Sequence, residues 1–144
     1  MDKKVGIITY HAAYNFGSAL QAFATYKFVE LLGYHAQIIN YRPEQQRQFY
    51  SLHRKKWGLK TYLNDVLMYK YDGDRRKSHD RFEQFMINYM KLTCEFSAPQ
   101  HFSDVASAFD ICVSGSDQIW NKNSCELAGN SMSYMMPYVT SFVQ

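Results

Sequence analysis

Three apolar runs divide the chain into strands. Val5-Gly6-Ile7-Ile8-Thr9-Tyr10 is apolar on both faces, the pattern of a central strand in a parallel sheet. His35 to Tyr41, centred on Ile38 and Ile39, reads as a second strand, and Phe109-Asp110-Ile111-Cys112-Val113-Ser114 as a third. Between the first two, Leu20, Phe23, Ala24, Phe28, Leu31 and Leu32 recur at helical spacing, with Lys27 and Glu30 on the other side. Gly33 is placed to end that helix in a left-handed conformation. The unit is β-α-β, for which a right-handed crossover is expected.

The remainder is predominantly helical. Arg42-Pro43 closes the second strand, and residues 44–56 lack a period and read as a mobile loop or lid. Leu59, Tyr62, Leu63, Val66 and Leu67 mark a helix that Asp72-Gly73-Asp74 breaks. Phe82, Phe85, Met86, Tyr89 and Met90 stripe a second helix, and these aromatic and Met stripes read as core packing. Ser103 is placed to cap a short helix over residues 104–108. The pattern predicts an α/β fold: a Rossmann-like open parallel sheet with flanking helices and a basic helical insert over about residues 44–91. After Asn121 no further strand and capped helix follow, so the expectation is the first part of a larger protein whose C-terminal half lies elsewhere.

Length and composition sharpen this picture. The 144 residues match one domain, and 47% apolar residues can bury a core. Aromatics reach 17%, an abundance that goes with clefts and interfaces. Between Arg42 and Arg81 there are 11 Lys/Arg against 5 Asp/Glu, while the rest carries 5 against 8. This basic segment reads as a solvated helix face or as an attractor of phosphates, acidic glycans or anionic surfaces. It matches no nucleic-acid-binding motif, so no nucleic-acid partner is expected. Cys94, Cys112 and Cys125 have no zinc or disulfide spacing, which predicts a reducing, cytoplasmic setting. Met1 to Lys4 and the strand that follows do not read as a signal peptide, and no apolar run of this sequence approaches the roughly 20 residues that span a bilayer, so no transmembrane segment is expected.

Candidate chemistry gathers after the first and third strands. The loop His11 to Ser18 offers His11, Tyr14, Asn15 and Ser18 before a helix start, where free N–H groups suit an anionic ligand. The plain alternative is a βα connection in which Gly17 only lets the chain turn. Gly115-Ser116-Asp117-Gln118-Ile119-Trp120-Asn121 follows the third strand. Asp117 suits a general base, a sugar-orienting group or a helix cap. Ser116, Gln118 and Asn121 suit sugar hydroxyls, and Trp120 a sugar face or the core. If both strands share one parallel sheet, the two loops open on one edge. Other classes fit poorly. No Gly-x-Ser-x-Gly elbow supports a Ser-His-Asp hydrolase. Gly-x-Gly-x-x-Gly and the P-loop are absent, and the five histidines lack metal-ligand spacing, so no metal is expected.

Asn15-Phe16-Gly17-Ser18-Ala19-Leu20-Gln21-Ala22 and Gly115-Ser116-Asp117-Gln118-Ile119-Trp120-Asn121 resemble the two hallmark strings of the polysaccharide pyruvyl transferase family. The resemblance covers residues 3 to about 125, with the basic middle aligning loosely. It implies transfer of the enolpyruvyl group of phosphoenolpyruvate to a sugar of a cell-surface polysaccharide. It implies a fold similar to two-domain GT-B glycosyltransferases and no cofactor beyond the phosphoenolpyruvate donor. Partners on this reading are a sugar or lipid-linked glycan acceptor, and an oligomer mate or C-terminal domain, which in the family carries most phosphoenolpyruvate contacts. Asp117 and His11 are the expected catalytic residues; Asn15, Gly17, Ser18, Ser116, Gln118 and Asn121 are the expected substrate contacts. The alternative is a non-catalytic sugar-binding or interaction module that pairs with another chain.

Overall fold

The computed structural model describes residues 3–51 and 69–115. Strand β1 (Lys4–Thr9) is central, flanked by β2 (His35–Ile38) and β3 (Ile111–Gly115), both parallel to it, giving the order β2-β1-β3. Helix α1 (Phe16–Leu31) links β1 to β2. Helix α2 (Glu44–Tyr50) follows β2, and α3 (Asp72–Tyr89) and the short α4 (Phe102–Ala106) precede β3. The chain near residues 92–96 runs along the outer edge of β2: Leu92 bridges Ile38 and Phe96 bridges Tyr41, so that edge is not left open. This is an α/β fold with a small open parallel sheet.

Alternation along β1 explains why it is apolar throughout. Val5 and Ile7 face one layer, formed by Ala22, Tyr26 and Val29 of α1 with Met86 and Met90. Ile8 and Tyr10 face the other, formed by Ile39, Tyr41 and Phe102. Each fully buried aliphatic of this kind contributes about 1.5–3 kcal/mol. Gly6 sits on the second face, where a Cβ would stand 2.7 Å from the Phe109 ring, so only a glycine lets that ring lie on the strand. Gly33 has φ 83° and ends α1 as expected.

The buried face of α1 differs from the predicted one. Ala19, Ala22, Tyr26 and Val29 meet the core, whereas Leu20, Phe28, Leu31 and Leu32 are exposed, Leu31 at 85%. Of the predicted stripe, Phe23 packs against the core, beside a face on which Tyr26 and Val29 are buried together with the two alanines. Two further expectations are corrected, at residues 44–56 and at Ser103. The start of residues 44–56 forms α2, whose entry is shaped by Pro43 with its fixed φ. Asp72-Gly73-Asp74 forms the first turn of α3, where its two carboxylates complement the positive end of the helix dipole. Ser103 lies inside α4, whose N-cap position is His101. The α3 stripe stands: Met86 and Met90 are buried and Phe85 packs against them, with Tyr89 exposed. The helix expected around residues 59–67 falls outside the described residues. Among those described, no helix is long and apolar enough to cross a membrane.

Candidate functional site

β1 and β3 leave the sheet side by side. Their parallel register pairs Thr9 with Gly115, so the chain beyond each strand starts from the carboxyl edge, where open α/β sheets collect ligands. Ser116, Asp117, Gln118, Trp120 and Asn121 lie outside the described residues. At the edge itself, the buried Thr9 Oγ1 donates to Gln21 Oε1 at 2.8 Å, and Gln21 Nε2 donates to Thr25 Oγ1 at 3.2 Å. A Cβ on Gly115 would stand 3.6 Å from the same Gln21 nitrogen. Gln21 therefore spans the ends of both strands. Sequence reasoning had passed it over, although a glutamine on the otherwise apolar first half of α1 was the available signal.

The residues after β1 divide into positioning and open groups. His11 is 2% exposed, with Nδ1 3.1 Å from the Thr9 carbonyl and Nε2 3.0 Å from Asn40 Oδ1. Both ring nitrogens thus face acceptor oxygens, of which a neutral ring donates to one, and the ring packs the loop against the end of β2. Burial lowers its pKa below the ordinary imidazole value, more than its hydrogen bonds raise it, so it is held neutral. In this arrangement no ring nitrogen of His11 is open to an acceptor hydroxyl. Asn15 caps α1, its Oδ1 accepting from the Ser18 N–H at 2.8 Å. Gly17 falls inside the first helical turn, and the left-handed residue of the loop is instead Tyr14, at φ 42°. An aromatic residue held there costs about 1–3 kcal/mol, and such strain collects at functional sites. Ser18 is half-buried in the first turn, next to the exposed Gly17.

What holds Tyr14 in place is a polar cluster absent from the sequence reading. Its hydroxyl donates to Glu83 Oε1 at 2.7 Å, and its ring stacks on His79 at 4.1 Å and 7°. Arg42 grips the same carboxylate with both terminal nitrogens, at 2.7 and 3.0 Å, and donates through Nε to Asn40 Oδ1 at 2.8 Å. Burial pushes Tyr14 up to about 12, helped by the adjacent Glu83 carboxylate. Burial pushes the Glu83 carboxyl up and the Arg42 guanidinium down, but their mutual pairing wins: Glu83 ends below the usual carboxylate range and Arg42 above its own. The residues come from the first loop, the exit of β2 and the middle of α3. That spread over 70 positions is why no local motif announces them.

Two concavities flank this cluster. A cavity of about 170 Å³ is lined by Tyr14, Arg42, Gln46, Arg47, Tyr50 and His79, among others. An apolar groove of about 430 Å³ runs between α1 and α3, past Phe16, Leu20, Phe82 and Phe85. Among the described residues, no group of three or more His, Cys, Asp and Glu side chains is placed to hold a metal ion. Cys112 packs against the second core layer, and burial pushes its thiol up, away from the reactive thiolate. Comparison with protein-family models, curated proteins and solved structures finds no match to this chain.

Proposed function

We propose that this chain forms the acceptor side of a polysaccharide pyruvyl transferase-like protein, the N-terminal half of a GT-B-like two-domain arrangement working in the cytoplasm. The observation that carries the reading is the parallel pairing of β1 with β3. It brings the exits of the two strings that resemble the family's hallmarks to one sheet edge, with Thr9 opposite Gly115. In the reaction, two sugar hydroxyl oxygens become bonded to C2 of the enolpyruvyl group. The methylene gains a proton and phosphate leaves. Asp117 is the candidate base for the acceptor hydroxyl, with Ser116, Gln118 and Asn121 as sugar contacts; Ser18 and the first turn of α1 form the opposing lip of the crevice. His11 serves as a positioning residue for the loop. The donor's phosphate and carboxylate need cationic partners, which this reading assigns to a second half.

A second reading is an interaction module that pairs with another chain. It is favoured by the exposed apolar face of α1, where Phe16 is 78% and Leu31 85% exposed.

The test joins this chain to the second half that the reading requires and incubates the pair with phosphoenolpyruvate and a panel of acceptor glycans, with ketal formation followed by mass spectrometry and phosphate release. Transfer that collapses in Asp117→Ala supports the first reading. Equal turnover in that variant removes Asp117 from the mechanism. Glycan or protein binding without transfer favours the second reading.

A further inference from the structure

The cavity beside Tyr14 has an unusual lining for the interior wall of a small domain. Its side chains are two guanidiniums, an imidazole, an amide and hydroxyls; among the described residues, no carboxylate lines it. The carboxylates stand behind the cations instead. Glu83 holds Arg42 in a two-point grip, and Glu95 holds Arg47 and lies 3.5 Å from Arg42 Nε. These contacts fix the plane of the Arg42 guanidinium and hold Arg47 through one terminal nitrogen, engaging only some of their N–H groups. Arg42 commits three of its five to Glu83 and Asn40. Helix α2 carries the same message. Its one buried residue is Gln46, where an amphipathic helix would ordinarily bury an aliphatic side chain. The His79 ring is fixed by its stack on Tyr14.

We infer that this cavity is a binding site for a small oxyanion, a phosphate or carboxylate group, received by Arg47, His79 and the outward N–H groups of Arg42. Donors converge on it from three elements: the exit of β2, α2 and α3. The two arginines are held in advance by carboxylates outside the cavity lining, which is how planar guanidiniums are prepared for two-point recognition of an anion. Tyr14 and Tyr50 supply apolar walls for the organic part of the ligand, their rings meeting edge-on at 5.6 Å. The inference is independent of the transferase reading, since neither Asp117 nor any of the expected substrate contacts is among the cavity's lining residues. Either can fail without the other.

The experiment is calorimetric titration of the full chain with inorganic phosphate, phosphoenolpyruvate and glucuronate in chloride buffer. Saturable binding is expected, and the tighter of phosphate and glucuronate names the headgroup. Arg47→Gln and His79→Phe, which keeps an aromatic ring against Tyr14, should each weaken binding by about tenfold or more, the effect of losing one charge-assisted hydrogen bond. Lys77→Gln, on the exposed surface of α3, should leave it unchanged. A thermal melt of each variant checks its fold, and the half-exposed Arg47 carries the test if the His79 variant is unstable. No saturable binding of any of the three anions, binding that both variants retain, or an equal loss in Lys77→Gln would overturn the inference.

Discussion

Glu83→Gln puts the polar cluster to its most direct test. The variant keeps the shape of the side chain and an oxygen that can accept from Tyr14, but it removes the negative charge opposite Arg42. Arg42 is 11% exposed at its side chain and Glu83 28%, with contacts of 2.7 and 3.0 Å. Breaking a fully buried pair costs about 3–5 kcal/mol, and losing an exposed one less than about 1. Here a quarter of Glu83 meets water, and Glu95 3.5 Å from Arg42 Nε supplies residual compensation. The expected loss lies between those limits, at about 2 kcal/mol. Urea unfolding at pH 7 should show it as a fall in midpoint of about 1 M at unchanged slope. The pH dependence supplies a second check. Because the Glu83 pKa is lowered in the folded protein, its contribution is complete above the unfolded value of about 4.3 and disappears as pH falls through the folded value. Wild type and variant should therefore converge in acid. A loss below about 0.5 kcal/mol at neutral pH, typical of an exposed surface substitution, would refute the view that this pair organises the cluster. So would a difference that persists at low pH.

Other consequences are equally open to measurement. Gly6→Ala should lower stability by about 1–3 kcal/mol in a thermal melt, because the new methyl group would meet the Phe109 ring at 2.7 Å. His11 is held neutral by burial, so the unfolded chain takes up a proton near pH 6.5 that the folded chain refuses. Stability should be complete above that pH and fall as the solution is acidified toward 5, and His11→Asn should make the decline shallower; a decline of undiminished slope would count against it. On α1, Leu31→Lys should change stability by no more than about 0.5 kcal/mol, while Val29→Lys, on the face against the sheet, should cost several times that in the same urea assay.

Much of the framework was legible along the chain because strands and their ends are local events. Val5 to Tyr10 is apolar on both faces whatever covers it, and Gly33 supplies the left-handed residue that ends α1. That β1 and β3 share one parallel sheet stands in the sequence only as a condition; their pairing as neighbours was decided by the structure. The face of α1 was misread because side-chain size alone does not reveal how closely a helix approaches a sheet. Ala19, Ala22, Tyr26 and Val29 fall on the side that meets the core, and Leu20 and Phe28 fall on the other. Helix α2 was missed because its inward side is polar, so no apolar period betrays it.

By itself, then, the sequence determined the order of the three strands, the helix between the first two, the central place of β1, and the two polar exits that resemble one family's hallmark strings. Only the tertiary structure decided which groups those exits meet. It closed both nitrogens of His11, turned Asn15 into a helix cap, and drew Arg42, Glu83, Tyr14 and His79 into one cluster beside a cavity. The physical reason is distance along the chain. A period or a cap is written within one turn, whereas an ion pair between residues 42 and 83 exists only once the sheet and helices have packed and brought the two side chains together.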